Sequence, residues 1–369
     1  MSNQARARAG VDKLVACSHP GSDFGYAFAD GYVVISDSTA HARSIVAAGQ
    51  QAPLSADAGY TDWEGQVGDR GVVNFYVAKK AADWLTQHAD AFAGGGAAAS
   101  PADAVTKQVK AFQGLSGTVR FTDGGIEVAA VGGGVPDLTG SGNVSAAVAA
   151  LPADTAAVLG FATPPDYARQ LVASMGQLSG EDSSQLVAQV ETLTGLHLPD
   201  DLQTLLGKAV TVSLGGNPPD LRAVSSPADL PLGATITGDT AGIQGVIHKV
   251  TERQGISLAQ LGIAEEVRAG RVALAPSQEY ADQLLGGGGL GRSAAFRGVV
   301  PEADKASSVM FVDVASPWLG ALVRLARDQG APAGEAARVQ ANLQPLEAFG
   351  ASAWQDGATS HVLVKLTTN

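Results

Sequence analysis

The same pattern occurs at two places in the chain: a glycine, then a mainly apolar run, then a serine at the start of a helix. Residues 31–38 (GYVVISDS) have the pattern of a strand that runs into a helix, and residues 270–277 (GRVALAPS) repeat it. A turn with a glycine precedes each strand, and glycine tolerates the positive φ that such turns require. Ser38 and Ser277 are predicted helix N-caps, because a serine hydroxyl accepts hydrogen bonds from unpaired N–H groups at a helix start.

The match continues for about 100 residues after each of these starts, which indicates an internal repeat. Each copy goes on with a loop of small residues, an aromatic position, a second strand, two helices and a hairpin that turns at Asp-Gly. The second strands align residues 72–77 with 308–313, and the hairpin turns align Asp123-Gly124 with Asp356-Gly357. The helices are predicted at residues 79–93, 101–112, 317–327 and 334–346.

The second copy is predicted to be the longer one. Residues 151–240 contain strand and helix patterns that have no counterpart before the first copy, so Met1 is expected to fall inside a unit. We predict a partial α+β unit at residues 1–135, a glycine-rich linker at 136–150 and a complete α+β unit at 151–369. The fold class is α+β, with two related units of antiparallel sheet and packed helices, the first incomplete at its N-terminus.

The composition of the chain limits the kinds of partner that the protein is expected to bind. Charged residues make up 16% of the chain, and the net charge of -12 disfavours binding to nucleic acid, whose phosphates it repels. No window approaches the ~20 apolar residues of a transmembrane helix. Residues 14–17 (LVAC) have the form of a bacterial lipobox, but the preceding residues are charged where a signal needs apolar ones. We expect a short helix there. The single cysteine, Cys17, excludes an intramolecular disulfide and does not indicate a compartment.

One glycine-rich segment, residues 286–293 (GGGGLGRS), fits the GxGxxG pattern and nearly fits a P-loop. A phosphate loop must follow a strand and open a helix, so that backbone N–H groups face the anion. Here a predicted helix precedes the glycines, and the first copy has residues 47–53 (AAGQQAP) at the same place. The segment is predicted to be a flexible connector, and nucleotide binding is the alternative.

The remaining residues that could contribute chemistry are scattered. The histidines show no metal-ligand spacing, although distant ones could still assemble a site; they are His19, His41, His88, His197, His248 and His361. The acidic pairs Glu181-Asp182 and Asp200-Asp201 lie near predicted helix starts, where carboxylates oppose the helix dipole. There is no nucleophile motif, and Cys17 has no obvious histidine partner. We therefore predict no catalytic, cofactor or metal site, and a protein that is not an enzyme.

The four tryptophans fall within the repeated segments; they are Trp63, Trp84, Trp318 and Trp354. We predict that they anchor the packing of helices on the sheet. A shared ligand groove is the alternative.

Three features resemble a known family. They are residues 151–155 (LPADT), the strand and serine-started helix at residues 31–46, and the spacing from Leu54-Ser55 to Tyr60. Together they resemble the DUF3352 family of bacterial proteins, whose function is not established, over most of the chain. The resemblance implies a membrane-associated or extracytoplasmic protein, although we expect no signal or anchor within this chain. It supplies no catalytic residues.

The leading hypothesis is a non-catalytic, envelope-associated binding or scaffold protein, in which small-residue helices enclose a groove for an apolar, lipid-like ligand. A second hypothesis is a structural or assembly protein that pairs with another chain, or with its own copies, through the open edge of its incomplete first sheet. A third is an enzyme of unrecognised class, which a pocket with converging charged residues from different units would support.

Overall fold

The computed structural model describes residues 4–17, 24–29, 31–87, 110–122, 124–134, 142–179 and 183–369. Contacts between residues divide the chain into two compact units, Met1–Gly65 and Gln66–Asn369. Parts of two predicted helices, at residues 88–93 and 101–109, lie outside the described residues.

The α+β class is confirmed, because the described residues form two antiparallel sheets and 13 α-helices. The strands are β1 (Gly25–Ala29), β2 (Tyr32–Ser36), β3 (Val73–Ala78), β4 (Gly114–Thr122), β5 (Gly125–Gly133), β6 (Ala157–Ala162), β7 (Ala209–Leu214), β8 (Leu232–Thr237), β9 (Ala264–Arg268), β10 (Arg271–Ala275), β11 (Ser308–Asp313), β12 (Leu346–Asp356) and β13 (Thr359–Thr368). The helices are α1 (Gln4–Cys17), α2 (Thr39–Gln51), α3 (Ala58–Val67), α4 (Lys80–Gln87), α5 (Ser145–Ala149), α6 (Tyr167–Ser179), α7 (Ser183–Thr194), α8 (Asp200–Leu206), α9 (Thr240–Gln254), α10 (Gln278–Leu285), α11 (Ala294–Val299), α12 (Pro317–Asp328) and α13 (Ala333–Leu343).

The first compact unit contains α1, the β1–β2 hairpin and α2. The hairpin turns at Gly31, whose φ is +88°. Ser38 caps α2 as predicted, because its hydroxyl accepts a hydrogen bond from the backbone N–H of His41 at 3.1 Å. Gly25 lies so close to the first residue of α2 that a Cβ there would overlap the backbone of Thr39. The short hairpin and its helix are thus held by local geometry.

The second compact unit is built on one antiparallel sheet of eleven strands, in the order β3-β4-β5-β13-β12-β11-β6-β7-β8-β10-β9. The closing hairpins of the two repeat copies lie side by side in it, because β5 pairs with β13 from Gly125 to Gly133. The boundary between the compact units falls after Gly65 rather than near residue 135, since this pairing joins the copies. Within the predicted linker, residues 145–149 form α5, and Val144 and Val148 are fully buried in the core.

Helices cover the two faces of this sheet to different extents. On the helix-covered face, α5, α10 and α11 enclose the main core, where the rings of Phe296 and Phe311 meet edge to face at 5.4 Å. On the opposite face, Ile243 and Ile247 of α9 pack on Ile236 and other residues at one end of β7, β8 and β10. Each buried aliphatic or aromatic side chain stabilises the fold by about 1.5–3 kcal/mol.

The second face contains a row of directly opposed apolar residues that crosses ten strands. We call it the apolar row; it consists of Val73, Val119, Val128, Val364, Ala351, Met310, Leu159, Val212, Ala234 and Leu274. It ends at β9, where Glu265 is opposite Leu274. Several members are open to solvent, including Val73 at 53% and Met310 at 42% exposure.

As far as the structure describes them, the two copies share their order of elements, but the predicted alignments of their second strands and of their hairpin turns were each wrong by one residue. Counted from the closing pairs Thr122–Gly125 and Asp356–Thr359, Thr118 and Ser352 occupy the same place in their hairpins. Asn74 pairs with Thr118, and Val309 pairs with Ser352. Asn74, and not Val73, is therefore the counterpart of Val309. A shift of one residue moves every side chain to the other face of the sheet. The alignment of apolar residues in the two sequences therefore did not give the correct strand register.

Candidate functional site

An apolar groove of about 430 Å³ opens over β7, β8 and β10. Its floor is the part of the apolar row formed by Val212, Ala234 and Leu274, with the small Ala234 between two larger side chains. Apart from Ser226, every described residue of its lining is apolar or glycine; the lining is Val212, Ser226, Pro227, Ala228, Leu232, Gly233, Ala234, Leu261, Gly262, Ile263, Leu274, Ala275 and Pro276.

The groove exists because α9 covers only one end of these strands. Val212 remains 38% exposed and Leu232 44% exposed, and Leu261 on the rim is 51% exposed. Apolar surface in contact with water costs about 25 cal/mol per Å², so an apolar occupant that covers these side chains would be favoured. A concave, mostly apolar site of several hundred Å³ has the usual character of a small-molecule site.

One wall of the groove is a short turn of 3-10 helix, Pro227–Asp229, held by a capping box. The Ser226 hydroxyl accepts from the N–H of Ala228 at 3.0 Å, and one Asp229 carboxylate oxygen accepts from the N–H groups of Ser225 and Ser226 at 2.7 and 2.9 Å. These donors hold the pKa of the Asp229 carboxyl below its usual range. The wall is therefore fixed by the ionised form of Asp229.

The opposite wall is the turn that leads into β9. The N–H of Ile263 donates to the carbonyl of Leu258 at 2.9 Å, and Gly262 has a φ of +70° that glycine adopts without strain. A second depression, of about 590 Å³, lies beyond this turn and shares Gly262, Ile263 and Pro276 with the groove. It is more polar, since His248 and Glu265 are part of its lining.

The glycine-rich segment does not form a phosphate loop. It follows α10, and its N–H groups are already used: those of Gly288 and Gly289 donate to the carbonyls of Ala150 and Leu151 at 3.1 and 2.9 Å. A Cβ on Gly288 would overlap the backbone of Ala150, and one on Gly291 would lie 2.6 Å from the Cβ of Ala149. The glycines let this segment pack closely against α5 and the residues after it. The prediction of a flexible connector missed that packing.

Among the described residues, the histidines form no group that could hold a metal ion. His19 and His88 lie outside the described residues, His197 and His248 are exposed, and His41 contacts Asp37 at 2.9 Å on the surface. Across the described part of the chain, no three histidine, cysteine, aspartate or glutamate residues lie close enough together to bind a metal ion.

Of the acidic pairs, Glu181-Asp182 lies outside the described residues, whereas Asp200-Asp201 begins α8 as predicted. Asp201 accepts from the Lys249 ammonium and from the N–H of His197, both at 2.6 Å. Burial opposes ionisation of Asp201, but these two donors outweigh it and lower its pKa. The ion pair between Asp201 and Lys249 therefore links α8 to α9. The side chain of Cys17 is not among those described.

The contacts described for the tryptophans differ from one to the next. Trp84 is 51% exposed, and the prediction that it anchors the core is wrong. Trp318 donates from Nε1 to the carbonyl of Gly215 at 2.7 Å. Trp354 stacks on His361 at 5.0 Å in the large sheet, and Trp63 lies in α3.

A charged cleft of about 220 Å³ on the helix-covered face combines residues from both copies. Arg120 donates to Glu127 at 2.7 Å, and Lys365 lies 3.9 Å from the same carboxylate. Burial lowers the pKa of His361, which also lines the cleft. Two cations already neutralise Glu127, so the arrangement has the form of a buried ion pair rather than that of a catalytic base. The hairpin register could have predicted the Arg120–Glu127 pair from sequence, since it makes them direct neighbours.

Comparison with known proteins adds no relative. No family model matches the chain, and neither the curated proteins nor the solved structures searched contain a match. The resemblance to DUF3352 therefore stays a prediction. None of the described helices combines the length and the apolar character that a membrane crossing requires.

We expect Gly288→Ala to destabilise the protein by about 1–3 kcal/mol, because the new methyl group would overlap the Ala150 backbone in a well-packed region. Gly245→Ala, on the exposed side of α9 with open space around it, is the matched control and should stabilise by about 0.5–1 kcal/mol. Urea unfolding midpoints of both variants would check this. Similar midpoints for the two variants would contradict the packing role of the segment.

Because the ionised Asp229 carboxylate holds the wall formed by Pro227–Asp229, the stability of this wall should depend on pH. Because the folded-state pKa lies below the ordinary value of 3.8, the carboxylate stabilises the wall above that pH, and the effect is lost as pH falls through the lower folded value. We expect amide exchange at Ser225 and Ser226 to accelerate in Asp229→Asn at neutral pH, measured by NMR. Asp220→Asn, in the same loop, should leave these two amides protected; equal acceleration in both variants would show that Asp229 is not the anchor.

Proposed function

We propose that this protein is a non-catalytic binding protein that holds an apolar, lipid-like small molecule in the groove between β7, β8 and β10. The observation that supports this is the apolar lining, in which Ser226 is the one polar residue among those described. The volume of about 430 Å³ falls within the usual range of roughly 300–1,000 Å³ for small-molecule sites.

The shape of the floor favours a slender occupant. Ala234 is flanked across the ladder by Val212 and Leu274, so the centre of the floor is lower than its sides. A hydrocarbon chain needs no polar partner along its length, which suits a floor that offers none. An association with the cell envelope rests on the resemblance to DUF3352 and is part of the same proposal.

The enzyme hypothesis has less support. The charged cleft does contain groups from both copies, but Arg120 is bonded to both Glu127 and the carbonyl of Asp69, at 2.7 and 2.9 Å. A general base needs a free acceptor near its substrate, and Glu127 is already paired with cations. The groove is therefore the better candidate for ligand binding.

The test is a substitution on the floor of the groove that fills the space proposed for the ligand. In a fluorescence titration with cis-parinaric acid, wild type should bind saturably at one site. Ala234→Trp should raise the dissociation constant at least ~10-fold, equivalent to ~1.4 kcal/mol, because the indole occupies the ligand's space. Ile126→Trp, at a 40% exposed position on β5 away from the groove, is the matched control and should bind as wild type does.

Native mass spectrometry of wild type purified without detergent should also show a bound lipid that Ala234→Trp lacks. The proposal fails if wild type shows no saturable binding, or if both tryptophan variants lose binding equally.

A further inference from the structure

Two equivalent strands of the repeat have different numbers of neighbours. β11 is paired on both sides, with β12 and with β6. Its counterpart β3 pairs with β4, and among the described residues it has no second partner strand. The second copy therefore has β11 in the middle of the sheet, whereas the equivalent strand of the first copy, β3, is the end strand of that sheet among the described residues.

The two edges of the sheet differ in how they are protected. The far edge, β9, has the sequence AEEVR, and its charged residues Glu265, Glu266 and Arg268 oppose pairing with another strand. β3 has the sequence VNFYVA, without charge, proline or a described bulge. At this edge the apolar row begins with Val73, which is 53% exposed, whereas at the other edge it ends at Glu265.

We propose that the β3 edge binds the β3 edge of a second copy of this chain, antiparallel and about a two-fold axis. A β3–β3 contact is the edge-to-edge pairing that buries no charged strand, because any contact with β9 would desolvate its glutamates. A β3–β3 contact also gives a closed dimer, because the β3 edge of each copy is then occupied. A β3–β9 contact would instead leave one edge open on each end and add copies without limit. The inference does not depend on the ligand groove.

The geometry of such a pair is restricted. Directly opposed residues of antiparallel strands lie on one face of a sheet, so odd-numbered residues must meet odd-numbered ones. Val73, Phe75 and Val77 of one copy would therefore lie against the same three residues of the other. The apolar row would then continue from one copy into the next, which covers Val73 on both.

Sedimentation velocity on the full chain tests the proposal. Wild type should form a dimer with a dissociation constant on the order of micromolar, as expected for a small interface. Val73→Lys should raise this constant at least ~10-fold, because two ammonium groups would enter the contact. Met310→Lys is the matched control: it puts the same charge in the same row, at a comparably exposed position on a strand with two neighbours, and should leave dimerisation unchanged.

Val73→Thr keeps a β-branched side chain and should remain dimeric, which separates the effect of charge from that of misfolding. Hydrogen exchange should show amides of β3 protected at high protein concentration and exposed on dilution. A wild type that stays monomeric well above micromolar concentration overturns the proposal. So does a Val73→Lys dimer, or a dimer whose β3 amides gain no protection.

Discussion

The pairing of β5 with β13 is the interaction on which the large sheet depends. It joins the closing hairpins of the two repeat copies along nine consecutive residue pairs, from Gly125 to Gly133. Each hairpin alone would have an unpaired edge with unsatisfied backbone groups, which is costly and prone to aggregation. Side by side, the hairpins satisfy each other and make one continuous sheet. The Arg120–Glu127–Lys365 cluster is a consequence, because it takes residues from three strands that this pairing makes neighbours.

The continuous sheet also explains the position of the groove. Ten strands share the apolar row, but α9 covers only one end of β7, β8 and β10 on that face. The uncovered part would be an exposed patch if it were flat. The turn at Pro227–Asp229 and the turn before β9 rise on either side of it and make it concave. Asp229 fixes the first of these turns through backbone N–H groups, so a polar contact outside the groove maintains an apolar interior.

Local signals in the sequence predicted local structure well. Ser38 and Ser277 cap their helices with nearly the same backbone conformation, because a cap depends on three or four adjacent residues. The hairpins were also predicted, since glycine marks their turns. The alignment of the two copies slipped by one residue at β3, because apolar residues occur on both sides of that strand and the letters alone did not distinguish its faces. For the glycine segment the sequence predicts a free connector, because the partner of this segment, Ala150, lies far away in the chain.

The sequence by itself determined the class of fold, the order of its elements and their duplication, because periodicity, caps and turns act between near neighbours. It also indicated the absence of a phosphate loop, through the helix that precedes the glycines. Only the tertiary structure decided that β3, β4 and β5 of the first copy share one sheet with the second copy, that Val212, Ala234 and Leu274 form the floor of a groove, and that β3 is the end strand of this sheet among the described residues. Each of these is a contact between segments distant in the chain, and residue patterns do not encode which distant strands will meet.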